Sequence, residues 1–385
     1  MFIICSLGNG FVAKIPGSIR DSICGYLQTI GGEASIEEIS RAVVAQMGAT
    51  SPSSVRSYLN NNVGKYFERT GRGRYRLKAN GHILMSVTKV ELDPVVTVGK
   101  AKLYEADCFE WLASEPASSI HACVTDPPYG ALEYTEEEQE KLRSGRGGVW
   151  RIPPSFDGHK RAPLPRFTVL GESDRLKMHV FFKKLGILLN RVLVPGANVV
   201  VASNPLLTHV VASALCEGGL EMRGQIVRLV MTMRGGDRPK NAHLEFPDVS
   251  VMPRSMFEPW VVLRRPLEGR VQDSLRTHKT GGFRRLSDER PFGDVIPSQK
   301  TPKRERELAA HPSLKPQSFL RQVVRAALPM GQGTVLDPFA GSGSTLAAAN
   351  AVGYPSVGIE SDPKYVEVAK RAIEKLGSLR QIDPI

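Results

Sequence analysis

The apolar run Ile120-His121-Ala122-Cys123-Val124 stops abruptly at Thr125-Asp126-Pro127-Pro128-Tyr129-Gly130. A short apolar run cut off by consecutive prolines reads as a buried strand passing into a loop, because proline fixes φ and brings no N–H to a ladder. In an open α/β sheet, ligands sit just outside the carboxyl ends of such strands. Asp126 and Tyr129 are therefore expected at the mouth of a pocket. Lacking two backbone donors, the turn presents carbonyl oxygens and one carboxylate with no donor of its own to pair them.

An acceptor site of that kind suits an exocyclic amine of a nucleobase, which is a poor nucleophile while its lone pair is delocalised into the ring. Held by the Asp126 carboxylate and the Pro127 carbonyl, the nitrogen can pyramidalise and aim its lone pair at an electrophile. Tyr129 would stack on a base flipped out of its helix. The plain alternative is that Asp-Pro-Pro-Tyr is only a rigid turn.

A second stretch has the same logic. Gly333-Thr334-Val335-Leu336-Asp337-Pro338-Phe339-Ala340-Gly341-Ser342-Gly343-Ser344-Thr345 reads as a strand, a glycine turn and the start of a helix running through Asn350. The next strand ends Val357-Gly358-Ile359-Glu360, and Asp362 precedes a helix from Tyr365 to Leu376. Glycines let the backbone approach a ligand closely, and an acid ending the following strand is placed to hold a ribose diol. No third glycine completes the phosphate fingerprint, so a cofactor without a pyrophosphate fits better.

Earlier in the chain, Ala101 to Asp107 forms a short strand ending in an acid, then a helix from Cys108 to Ala113 leads to the strand before Asp126. Asp107 suits contact with a bound nucleoside or, alternatively, the N-cap of that helix. Further on, a helix at Ser173–Leu193, a strand at Ala197–Ala202, a helix at Leu206–Glu217 and strands at Gln225–Met231 and Glu258–Arg265 continue the alternation. The expected class is α/β, a Rossmann-like sheet with helices on both faces.

Residues 18–79 read as a separate α+β module after an N-terminal extension, 1–17. Apolar spacing predicts a helix around Ile19–Leu27. Ser35-Ile36-Glu37-Glu38 opens a second helix like a capping box, and Ser51-Pro52 an N-capped third. Tyr66 to Leu77 alternates apolar residues with arginines about a Gly-Arg-Gly turn. Three helices closed by a basic hairpin resemble a winged helix-turn-helix domain. That resemblance implies that Arg56, Asn60 and Asn61 face the major groove while Arg72 and Arg74 meet phosphates. A protein-interaction module with a solvated basic edge is the alternative.

A net charge of +12 favours a polyanionic partner. Residues 80–100 read as a linker, and 131–174 as a long glycine- and proline-rich loop. Arg234, Arg238 and Lys240 lie in a basic loop between two strands. Residues 266–310, with Arg284 and Arg285, form a basic region suited to tracking DNA phosphates, or else a solvated linker. The five cysteines have no paired spacing, so neither a disulfide framework nor a zinc site is expected, and no apolar run is long enough for a signal peptide or membrane span. A cytoplasmic protein is expected, with no metal, since the histidines form no ligand cluster.

Asp126-Pro127-Pro128-Tyr129 and Asp337 to Thr345 resemble the catalytic and S-adenosyl-L-methionine motifs of the DNA amino-methyltransferases, which modify N6 of adenine or N4 of cytosine. His311-Pro312-Ser313-Leu314-Lys315-Pro316 is similar to that family's segment before the cofactor strand. Catalytic motif first and cofactor motif last is the order of its β group, a circular permutation of the common methyltransferase sheet. The resemblance implies a catalytic half at 101–265 and a cofactor half at 311–385. It places Asp126, Pro127, Pro128 and Tyr129 at the reaction. Asp337, Phe339, Gly341, Ser342, Gly343, Ser344 and Thr345 would lie along the methionine part of the cofactor and Glu360 on its ribose. Asp107 would meet the adenine edge, and Ser313 and Lys315 would close over the cofactor. Asp before Pro-Pro-Tyr goes more often with adenine, so the expected activity is sequence-specific N6-adenine methylation of double-stranded DNA. N4-cytosine methylation and a non-catalytic winged-helix regulator are the alternatives. A restriction nuclease would be a natural partner, and the oligomeric state is open, a dimer included.

Overall fold

The computed structural model describes residues 18–30, 32–47, 51–64, 66–78, 93–128, 171–230, 236, 238–239, 241–309 and 314–379. The chain divides into two units, Met1–Thr88 and Lys89–Ile385.

In the first unit the order is helix Ser18–Ile30, strand β1 (Glu33–Ser35), helices Ile36–Met47 and Pro52–Asn61, and strands β2 (Phe67–Gly71) and β3 (Arg74–Leu77). The expected capping chemistry is present. The Glu38 N–H donates to Ser35 Oγ at 3.2 Å and the Ser35 N–H to Glu38 Oε2 at 2.8 Å, while Ser51 Oγ accepts the Ser54 N–H one residue before Pro52. Each pair satisfies donors that a helix start leaves open. Ile23, Leu27, Ile39, Val43, Val55, Leu59, Phe67 and Tyr75 form one buried core. The sheet, β1-β3-β2, is antiparallel. The sequence reading missed β1, whose three residues carry no apolar alternation; pairing with β3 alone makes it a strand.

The second unit begins with β4 (Val96–Val98), β5 (Ala101–Glu105), helix Cys108–Ser114 and β6 (Ile120–Thr125). Helix Glu172–Val192 leads to β7 (Leu193–Ala202), and helix Thr208–Glu217 to β8 (Glu221–Leu229) and β9 (Phe257–Arg264). Helix Val271–His278, β10 (Val295–Pro297) and helices Lys303–Leu308 and Gln317–Ala327 precede β11 (Val335–Asp337), helix Ser344–Ala351, β12 (Ser356–Glu360) and helix Pro363–Ser378. Among the described residues no helix is long and apolar enough to cross a membrane.

The sheet order is β10-β8-β9-β7-β6-β11-β12-β5-β4, parallel from β7 through β5. Alternation along the strands divides the core. Cys123, Val199 and Val201 meet the helices Cys108–Ser114, Glu172–Val192 and Thr208–Glu217 on one face, while Ala122, Val124, Val200 and Ala202 meet Gln317–Ala327 and Ser344–Ala351 on the other. The order is the permuted one expected: the proline-turn strand comes early in the chain and the glycine-turn strand late, yet β6 and β11 are neighbours.

Two expectations are corrected. The linker at 80–100 holds β4 in its described part, paired antiparallel with β5. The basic region 266–310 is not a solvated linker where it is described, but packs on the sheet. Val295–Pro297 adds a parallel edge strand to β8, Thr280 Oγ1 donates to the Pro195 carbonyl at 2.6 Å, Asn198 Nδ2 donates to the Gly282 carbonyl at 2.7 Å, and Phe283 stacks on Phe292. Ile296, Phe283 and Phe292 pack into the sheet's core, which composition does not reveal.

Candidate active site

The chain leaves β6 toward β7 on one side and leaves β11 toward β12 on the other. Strands that diverge in this way leave a crevice between their carboxyl ends, where open α/β sheets bind ligands. Asp126 follows β6 directly and Asp337 closes β11. One cleft is lined by Asp126, Trp260, Lys315 and Leu320 together with Asp337, Phe339, Gly341, Ser342, Ser344 and Thr345. The two stretches singled out in the sequence therefore meet at one rim.

Asp337 is 3% exposed. Its Oδ1 accepts the Thr125 hydroxyl at 2.7 Å and the Phe339 N–H at 3.1 Å, and Thr345 adds a further side-chain bond. Burial pushes its carboxyl up to about 6, against these hydrogen bonds, with the nearby Asp126 charge adding to the rise. Asp337 thus locks the glycine turn to β6. Gly341 and Gly343 adopt φ of +51° and +78°, and a Cβ at Gly343 would stand 2.5 Å from Ile373 Cγ1, so only glycine fits there.

Glu360 ends β12 beside this turn. Its Oε2 accepts the Gly341 N–H and its Oε1 the Asp362 N–H, each at 2.8 Å. Two donors hold the carboxylate rigidly, and each oxygen keeps lone-pair capacity for a ligand hydroxyl. Phe339 stands 5.8 Å from Phe181, ring centre to ring centre, which sets the wall of the cleft. Asp107 is an N-cap: its Oδ1 accepts the Phe109 and Glu110 N–H groups at 2.8 and 3.1 Å, the capping geometry of the two readings offered.

The turn offers Asp126 no donor of its own, but a distant lysine supplies one. Lys315 Nζ donates to Asp126 Oδ2 at 2.6 Å, so the residue expected over the cofactor has its ammonium on the Asp126 carboxylate. Burial opposes the Lys315 charge, but the Asp126 and Glu258 carboxylates outweigh it and hold its pKa above the ordinary lysine value. The segment carrying Lys315 is anchored on both sides. Thr301 Oγ1 donates to the Leu314 carbonyl at 2.6 Å, and the buried Gln317 donates through Nε2 to the Ser344 carbonyl at 2.9 Å. Gln317, Glu258 and Arg228 were missed in the sequence, where Glu258 and Arg228 are single polar residues in apolar stretches and Gln317 is one of several polar residues after Pro316. The alternation Glu258, Trp260, Val262 was the available signal that Glu258 shares the cleft face.

Pro127 is buried and Pro128 exposed. Tyr129 and Ser313, as well as Arg234 and Lys240, lie outside the described residues, as does the loop 131–170. Among the residues expected to meet DNA, Arg56, Asn61, Arg72, Arg238 and Arg285 are at least partly exposed. Asn60 Oδ1 accepts the Tyr75 hydroxyl at 2.6 Å, and Arg74 pairs with Glu33 at 2.8 Å. Arg284 is turned inward, donating to the Tyr354 hydroxyl at 2.7 Å, so its guanidinium serves the domain rather than a phosphate.

A mixed, mostly parallel sheet with an acid-proline-proline turn and a glycine turn facing one crevice defines a Rossmann-like α/β domain of the methyltransferase type. The chain belongs to the N6/N4 DNA methylase family, whose model matches residues 120–371. Among curated relatives it is similar to the type II methyltransferase M2.DpnII of Streptococcus pneumoniae, 32% identical over 92 residues, which is 24% of this chain and 34% of that protein. It is also similar to M2.LlaDCHI of Lactococcus lactis subsp. cremoris, 32% identical over 93 residues, again 24% and 34%. The chain spans about a third of the length of these relatives. Among solved structures, the putative DNA modification methylase TTHA0409 of Thermus thermophilus, complexed with S-adenosyl-L-methionine, aligns with a TM-score of 0.44 at 20% identity, over 73% of this chain and 95% of that one.

Proposed function

We propose that the chain is a site-specific DNA methyltransferase that uses S-adenosyl-L-methionine to methylate N6 of an adenine flipped out of double-stranded DNA. The observation that carries this reading is the shared cleft, in which the Asp126 carboxylate and the Gly341 turn face each other across β6 and β11.

The residues present fit the cofactor. Glu360, fixed by two backbone donors, suits a ribose diol, and Gly341 to Gly343 bring bare backbone to the cleft where a methionine chain would lie. Phe339 gives that end of the cleft an apolar ring. When bound, the cofactor supplies an electrophilic methyl group on a sulfonium. The chain's own task is then orientation. Asp126 and the Pro127 carbonyl accept the two amine hydrogens, so that the nitrogen lone pair points along the line of transfer. Lys315, hydrogen-bonded to Asp126 Oδ2, holds that carboxylate in place while it does so.

The first unit is assigned to DNA contact through Arg56, Asn61 and Arg72, together with Arg238 and Arg285 of the second. A restriction nuclease reading the same sequence is the partner this reading calls for. Expression in a host free of modification, followed by digestion of its DNA and single-molecule sequencing, tests both base and context. N6-methyladenine in one recurrent sequence is the expected result, while N4-methylcytosine would reassign the base. Failure to transfer labelled methyl groups to any unmodified DNA overturns the enzyme reading in favour of a DNA-binding regulator.

A further inference from the structure

Four charged side chains alternate in sign in a row that starts at the cleft residues Asp126 and Lys315 and continues behind them through Glu258 to Arg228. Lys315 Nζ is 2.6 Å from Asp126 Oδ2 and 3.8 Å from Glu258 Oε1, and Arg228 Nη1 is 3.1 Å from Glu258 Oε2. Strand register creates this row. Arg228 and Glu258 are direct partners across β8 and β9, on the same face as Ile226, Trp260 and Val262. Both far members are pinned from outside the row. Arg228 donates to Ser298 Oγ at 3.0 Å and to the Gln299 carbonyl at 2.9 Å, and Glu258 Oε1 accepts the Trp260 Nε1–H at 2.8 Å. The side chains of Arg228, Lys315, Glu258 and Asp126 are 6, 13, 18 and 19% exposed, so their charges are weakly screened.

A lysine ammonium is a compact charge on a flexible stem and stands where its neighbours hold it. Facing Asp126 alone, it would draw on the same carboxylate lone pairs to which a substrate amine has to donate. Glu258 pulls from the other side and does not itself move, because two donors hold it. We propose that Glu258 is a positioning residue for methyl transfer: it shares the Lys315 ammonium with Asp126 and so sets where the Asp126 carboxylate stands and how strongly it accepts the substrate amine. The inference rests on the reading of Asp126 as the group that orients that amine. A purely structural Glu258, there only to neutralise the buried Arg228, is the competing account.

A double-mutant cycle separates them. Glu258→Gln keeps the side-chain volume and an acceptor for Trp260. It is expected to lower kcat by about 10²-fold, the scale of a misplaced orienting group, with KM for cofactor and DNA within about twofold. Combined with Lys315→Met, it should cost nothing beyond the single lysine change. Independent, multiplying losses would overturn the proposal, as would an unchanged kcat. Should the uncompensated Arg228 unfold the single variant, Glu258→Gln with Arg228→Leu removes both charges and carries the same expectation. A second readout needs no turnover: in 15N-lysine NMR the titration midpoint of Lys315 falls in Glu258→Gln relative to wild type, and an unmoved midpoint refutes the coupling. A wild-type chain without methyl transfer would sink the proposed function and still leave this measurement to decide whether Glu258 governs Lys315.

Discussion

Thr125 donates its hydroxyl to Asp337 Oδ1 across 2.7 Å, tying together the carboxyl ends of two strands whose residues lie 212 positions apart. The bond joins the proline turn to the glycine turn. It also gives the buried Asp337 carboxyl a partner where solvent cannot reach it.

Because burial pushes Asp337 up from 3.8 to about 6, the folded chain keeps a proton that the unfolded chain releases. The contribution is most favourable below about pH 4 and is lost as pH rises through about 6. Its full size is on the order of 3 kcal/mol. Asp337→Asn keeps a carbonyl acceptor for Thr125 and cannot titrate. Urea unfolding at a series of pH values from 4 to 7 (~0.5 apart) is expected to show a stability difference between the two chains that shifts in favour of the variant as pH rises. A difference that stays constant over this range would mean that Asp337 titrates normally.

Glu360 holds two backbone N–H groups and is assigned to the ribose. Glu360→Ala is expected to weaken cofactor binding by about 10- to 100-fold, the scale of one or two hydrogen bonds to a charged group. Glu360→Gln should fall between, since it keeps one acceptor. Titration calorimetry with S-adenosyl-L-methionine measures both, and wild-type affinity in the alanine variant would remove Glu360 from the site.

Asp126→Ala takes away the acceptor while leaving Glu360 and the Gly341 turn intact. Methyl transfer should drop by at least about 10²-fold, and cofactor affinity should stay within about threefold. Parallel transfer assays and calorimetry check the split. Lost cofactor binding with preserved chemistry per bound complex would show that Asp126 has been misassigned.

Arg56 and Arg72 are exposed in the first unit, on the helix Pro52–Asn61 and in the turn before β3. If each meets a phosphate, replacing both by alanine weakens DNA binding for all sequences alike and lowers the slope of log affinity against log salt by about 2. Binding measured over a range of salt concentrations reports that slope. An unchanged slope would point to the protein-interaction reading of the unit.

Local chemistry wrote much of this protein into its sequence. The prolines after Val124, the glycines after Asp337, the caps at Ser35 and Ser51 and the strand alternation are each decided by residues close in the chain, so the α/β class and both halves of the cleft were legible there. Pairings between distant segments were not. Three-residue strands such as β1, β4 and β10 have no periodicity of their own and exist through their partners. The basic region 266–310 looked solvated because its composition is polar, yet Thr280, Phe283 and Ile296 dock on the sheet. The ammonium on Asp126 comes from 189 residues away, and Arg228 and Glu258 join it only because β8 and β9 share a register. Short-range sterics select elements and turns, whereas the placement of charge around the carboxylate depends on which strands become neighbours, and packing of the whole sheet decides that.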